Sequence, residues 1–218
     1  MTKGNQRKKR QALSSERIAA EALALVDEEG LDGFSYRTLA KRLGCEAMSL
    51  YHYFPSKAHL FDAMVDIYYR DFQFLPDDAP WLDRVRKVCH EFRAAALRHP
   101  AFFKFVSIYR MNSRGGLSIL NRVLQTFEAT GLAPGARASH FRAIGYYLTG
   151  AALDEALGYA KGPSAAEPVP AEEARRDFPA IMAVGPYFGQ EHHWATFEHG
   201  LETLLAELVK DVERAGRG

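Results

Sequence analysis

Residues 36–55, YRTLAKRLGCEAMSLYHYFP, hold the side chains best suited to reading a nucleic acid. Ala47, Met48, Ser49, His52 and Tyr53 fall at the outward positions of a short helical stretch. Hydroxyl and imidazole groups can hydrogen-bond phosphate oxygens, and apolar side chains can touch thymine methyls. Tyr36 and Arg37 open the preceding stretch, where free backbone N–H groups and the helix dipole favour phosphate. Lys57 stands at the start of the next helix and can add a phosphate contact. No operator sequence can be read from this set, because Ala and Met offer no bidentate hydrogen bonds to bases.

These side chains need two short helices to hold them. Ala40 is small where two helices would cross closely, and Leu39 and Leu43 face inward from the first. Gly44 follows four positions after Ala40, where a tight turn needs a positive φ. Leu50, six positions further, is the inward residue of the second helix. This is the spacing of a helix-turn-helix, whose second helix enters the major groove. An antiparallel helix pair inside a bundle would share the Ala-x-x-x-Gly pattern. Two features favour DNA: a basic arm before the first helix, and a polar, aromatic outer face with few charges of its own.

The overall charge hides this asymmetry. The 218 residues carry 28 Lys/Arg and 27 Asp/Glu, a net charge of +1. Residues 1–60 hold 10 basic and 7 acidic side chains, leaving 18 against 20 for the rest. Five of the basic residues fall within the first ten positions. Two cysteines form no disulfide framework, so a reducing compartment is expected. No apolar signal core follows the basic start, and no stretch reads as a membrane span. A cytoplasmic protein without membrane association is expected.

Alternation of period two is missing, and apolar residues recur at helical spacing throughout. The expected fold is all-α, with about nine or ten helices. Ser14 or Ser15 caps the first, and Gly30 stops it. Further helices are expected over about 36–43, 47–53, 57–75, 81–99, 101–110, 117–130, 136–161 and 192–214, with a short one after Ala171. Gly115-Gly116 is expected to break the chain, and 162–170 to form a Pro/Ala loop. The expected organisation is a flexible basic arm over 1–12, a DNA-reading domain over 13–60 and a larger helical domain over 61–218.

The larger domain carries no glycine-rich phosphate loop, no Gly-x-Ser-x-Gly and no His-Glu-x-x-His. No catalytic residue, metal or cofactor is expected, so the chain does not read as an enzyme. His192 and His193 are adjacent and point about 100° apart on a helix, which suits them poorly as joint metal ligands. Aromatic residues are dense, and apolar pockets with a few polar groups bind small molecules. A pocket enclosed by Phe102, Phe105, Tyr109, Phe127, Tyr146 and Tyr147 is expected to take an apolar or aromatic effector. The helices over 137–160 and 191–213 offer Ala143, Gly150, Ala151 and Leu157, and Leu201, Leu204, Leu205 and Leu208. Two such helices per subunit would pair as a four-helix homodimer interface.

Residues 14–60 resemble the DNA-binding domain of TetR-type transcriptional regulators. The resemblance is carried by Ile18-x-x-x-Ala22-Leu23, Gly30-Leu31-Asp32-Gly33-Phe34-Ser35, Arg37-x-Leu39-Ala40-x-x-Leu43-Gly44, and Ser49-Leu50-Tyr51-x-Tyr53-Phe54-x-x-Lys57-x-x-Leu60. More loosely, the remainder resembles the C-terminal domain of tetracycline repressors, through Leu148-x-Gly150-Ala151-x-Leu153 and Phe197-x-x-Gly200-Leu201-Glu202-x-Leu204.

The resemblance implies a homodimeric repressor that leaves a palindromic double-stranded operator when a small molecule binds. It adds Tyr51 to the DNA face, with Tyr51 and Lys57 as phosphate contacts and Ala47, Met48 and His52 toward bases. It places Asp154 where tetracycline repressors carry an acidic pocket residue. It argues against magnesium–tetracycline, because the family's metal-binding histidines fall at Tyr146 and near Val106. An activator, a co-repressed regulator, or an all-α small-molecule binder with little DNA function are the alternatives.

Overall fold

The structure is a computed structural model that describes residues 12–158 and 162–217. The basic arm, apart from Ala12, lies outside the described residues, as does the expected end of the long helix at 159–161. Eleven α-helices, two short 3-10 turns and no strand make up the described residues. They are α1 (Ser15–Gly33), α2 (Tyr36–Leu43), α3 (Ala47–Tyr53), α4 (Lys57–Tyr68), α5 (Trp81–Arg98) and α6 (Pro100–Val106). The chain continues through α7 (Arg114–Glu128), α8 (Pro134–Leu157), α9 (Ala171–Asp177), α10 (Pro179–Val184) and α11 (His193–Ala215).

Local chemistry sets most of the starts. The Ser14 hydroxyl accepts the Arg17 N–H at 3.2 Å. Ser35 and Thr38 form a reciprocal box at 3.0 and 3.1 Å, which satisfies two otherwise free donors of α2. Ser56 caps α4 and Ser113 caps α7 by accepting the His59 and Gly116 N–H groups. Gly30 does adopt the left-handed φ of 75°, but the helix resumes for one turn to Gly33. Gly115-Gly116 does not break the chain: both glycines belong to the first turn of α7. That turn lies against α4, and a Cβ built on Gly115 would overlap the Asp66 carboxylate. These glycines permit a close approach between helices rather than a chain reversal.

Two cores result. The first joins Ile18, Ala22 and Val26 of α1, Leu39 of α2, Leu50 of α3 and Leu60 and Met64 of α4 to Phe102 and Phe103 of α6. It therefore welds the N-terminal helices to the body of the protein. The second gathers Val85 and Cys89 of α5, Phe127 of α7, Ile144 and Leu148 of α8 and Leu201, Leu205 and Leu208 of α11. Helices α9 and α10 bury no residue.

Candidate nucleic-acid interface and buried cavity

Helix α3 is held by its inner side and open on its outer one. Leu50 is fully buried, while Met48, Tyr51, His52 and Tyr53 are exposed. Met48 is the most open of the large apolar residues on this helix, at 66%. Ala47 and Ser49 are half-buried. The turn before the helix is made by Gly44 at φ 68°, in the left-handed region. Arg37 is exposed at the start of α2.

Tyr36 differs from its expected part. Its ring is buried, and its hydroxyl donates to the carbonyls of Phe54 at 3.0 Å and Ser56 at 2.9 Å. Burial, with a smaller effect from Tyr51, pushes the phenol up to about 12. The residue ties the end of α3 and the cap of α4 to the start of α2. The Tyr53 hydroxyl reaches back to the Leu13 carbonyl at 3.1 Å. Lys57 is exposed, with Nζ 5.1 Å from the Phe34 and Phe61 ring centres, a cation–π seat that aims its ammonium group. Arg42 is engaged on the far side by Glu21 at 2.9 Å and Glu28 at 2.7 Å.

Helix α4 runs from this face to a cavity of about 140 Å³. Its C-cap, Tyr69, forms part of the wall with Phe72. The rest comes from Val88, Cys89 and Phe92 of α5, Met111, Ile119, Leu120, Val123 and Phe127 around α7, and Phe141, Ile144, Gly145, Leu148 and Thr149 of α8. Among the described residues, no charged side chain is on this wall. Burial pushes the Cys89 thiol up to about 12, so it stays protonated.

Two stretches of the chain match family sequence patterns. Residues 12–64 match that of "Bacterial regulatory proteins, tetR family", and 75–211 match "Tetracyclin repressor-like, C-terminal domain". The chain belongs to the TetR family. It is a helix-turn-helix transcriptional regulator, and this family is not one of enzymes in general. It is similar to the transcriptional repressor DrrR1 of Streptomyces coeruleorubidus, with 30% identity over 145 residues. That match covers 66% of this chain and about half, 54%, of DrrR1. The class A tetracycline repressor from Escherichia coli is 27% identical over 198 residues, 88% of this chain and 89% of that one. A solved structure of a possible TetR family regulator from Streptomyces coelicolor A3(2) is 25% identical, with a TM-score of 0.73. It covers 90% of this chain and 99% of that one.

Within this TetR regulator, the seven residues expected at an effector do not converge. Only Phe127 lies on the cavity wall. Phe102 is fully buried in the first core, and Phe105 meets Phe61 edge-on at 4.8 Å and Tyr109 at a tilt at 4.8 Å. These rings fasten α6 to α4 instead. Tyr146 is 65% exposed and accepts from Arg142. The Tyr147 hydroxyl donates to the Phe197 carbonyl at 2.8 Å, and burial raises its pKa. Asp154 is exposed, beside His193 in a separate shallow pocket with Tyr147. Among the described residues no three His, Cys, Asp or Glu side chains are grouped to hold a metal ion. None of their helices is long and apolar enough to cross a membrane.

The wall residues left out of the sequence expectation had a signal. Cys89 and Phe92 share one face of α5, and Val123 and Ile119 lie four and eight residues before the expected Phe127. Aromatic density drew attention to α6, whereas the cavity is built from the inner faces of α5, α7 and α8.

Proposed function

We propose that this TetR regulator is a repressor that binds a palindromic operator as a homodimer and leaves it when a neutral, apolar small molecule enters the cavity. One observation carries the reading: a single helix, α4, starts beside the recognition helix α3 and ends with Tyr69 in the cavity wall. A ligand that favours one position of Tyr69 thereby favours one position of the DNA-reading helices. Only differential affinity for the two states produces release. The DNA face comprises Arg37, Met48, Ser49, Tyr51, His52, Tyr53 and Lys57, with Ala47 half-buried and Tyr36 as their internal brace. Residues 13–60 form the reading head and 61–218 the sensing and pairing body.

Pairing uses the outer faces of α8 and α11. Leu201, Leu205 and Leu208 are not available for it, because each is at most 1% exposed inside its own subunit. Ala143, Tyr146 and Gly150 of α8, and Ala195, Thr203 and Ala206 of α11, are exposed at helical spacing and mostly small. They permit two subunits to approach as a four-helix bundle. Half-sites one helical turn apart then require recognition helices about 34–36 Å apart.

The test is footprinting on the DNA upstream of the protein's own gene, with light scattering on the same sample. A protected palindrome and a dimeric mass are expected. Absence of any protected site, or a monomer at micromolar concentration, would overturn the proposal.

A further inference from the structure

We propose that Tyr69 is the polar recognition residue of the cavity, and that its ligand is a neutral ring compound carrying a carbonyl or ether oxygen. This rests on the cavity reading above and adds which protein atom meets which ligand atom. The polar side chains on the wall belong to Tyr69, Thr149 and Cys89. With no charged side chain there, an ionic ligand would lose its hydration without a counter-charge.

Tyr69 is 6% exposed, and its ring is held by Tyr68 at 4.8 Å and Phe72 at 5.9 Å. Its hydroxyl takes no hydrogen bond from or to any described residue. The tyrosines bordering other sites use theirs: Tyr36 and Tyr147 both donate to backbone carbonyls. The neighbouring Tyr68 hydroxyl is sealed off without a partner among the described residues, whereas the Tyr69 hydroxyl is still reachable by water, so a ligand acceptor can take the place of that water. Burial raises the pKa of Tyr69 well above its ordinary value, so it remains a donor at any physiological pH. Thr149 sits in mid-helix, half-buried, and its hydroxyl too has no hydrogen bond to any described residue, so its substitution is the control that separates the two hydroxyls. A cavity of about 140 Å³ accommodates roughly a single aromatic ring.

The test uses acetophenone and α-methylstyrene, planar isosteres that differ in an oxygen against a methylene. Affinities are measured by ligand-detected NMR for the wild type, Tyr69→Phe and Thr149→Val. In the wild type both bind and the ketone is favoured. Tyr69→Phe is expected to weaken acetophenone about ten-fold, the scale of one buried neutral hydrogen bond. It should leave α-methylstyrene unchanged, and the melting temperature unchanged or raised. Thr149→Val should retain the ketone preference. An unaltered preference in Tyr69→Phe, with both compounds still binding, would overturn the role of Tyr69 and spare the cavity reading. Failure of both compounds to bind the wild type would overturn the two together.

Discussion

Substituting Tyr36 by Phe separates a brace from a DNA contact. The change keeps the ring and deletes one hydroxyl, which donates to the Phe54 and Ser56 carbonyls at 3.0 and 2.9 Å. The single O–H proton is shared between the two carbonyls as a three-centre bond, worth about 1 kcal/mol net, so a loss of about 1 kcal/mol is expected. Tyr36 is only 9% exposed, so water cannot readily replace that bond. For a chain of this length, 1 kcal/mol shifts the melting temperature by about 2–4 °C, and a fall of that size is expected. Calorimetry at fixed subunit concentration measures it, because dimerisation makes the transition concentration-dependent. Operator affinity, read by fluorescence anisotropy, should weaken as α3 loses its anchor. The slope of log K against log salt should not change, because the hydroxyl faces inward. Lys57→Met should instead lower that slope by about 0.9 for each phosphate left without its cation, with little change in melting temperature. An unchanged melting temperature in Tyr36→Phe, or a salt slope lowered as in Lys57→Met, would refute the bracing role.

Three further outcomes follow from the same geometry. Gly44→Ala forces a side chain into the left-handed region at φ 68° and should cost about 1 kcal/mol, visible as a lower urea midpoint with unchanged slope. The Arg42 guanidinium holds the Glu28 carboxyl below its ordinary 4.5, so this pair stabilises the fold at neutral pH. That stabilisation is lost as pH falls through the ordinary carboxylate range towards the depressed value, and Glu28→Gln should flatten this part of the pH–stability curve. Cys45 is half-buried whereas Cys89 is buried with its thiol pushed up to about 12. A disulfide reagent at pH 8 should therefore modify one thiol per chain quickly and the second only on addition of denaturant.

The reading head was legible because local rules determine it. Ser35, Gly44 and Ser56 announce helix boundaries by capping and by left-handed geometry, and Leu39, Leu43 and Leu50 mark the inner faces unambiguously. The body was legible as helices but not as a site. A pocket depends on which helix faces meet, and α6 meets α4 rather than the cavity, so its phenylalanines became a fastening. Tyr36 looked like a phosphate ligand because its position opens a helix. Its inward rotation is set by the Phe54 and Ser56 carbonyls, partners 18 and 20 residues away that no local pattern encodes. Leu201, Leu205 and Leu208 are an apolar stripe that could equally have served pairing or the core, and packing against α5 and α8 decided for the core. The glycines at the start of α7 were misleading for the same reason, since their small size serves the neighbouring helix.

Sequence-specific DNA reading by α3, with its flanking Arg37 and Lys57, is the central claim. The most direct measurement is selection from a random pool of DNA duplexes, sequenced after several rounds, with the wild type and the triple variant Arg37→Ala, Tyr51→Ala, Lys57→Ala. A single enriched palindrome is expected, with half-sites one helical turn or a multiple apart, and it should disappear in the variant while helical content persists. Enrichment of no palindrome by the wild type, or of the same palindrome by the variant, would contradict the claim.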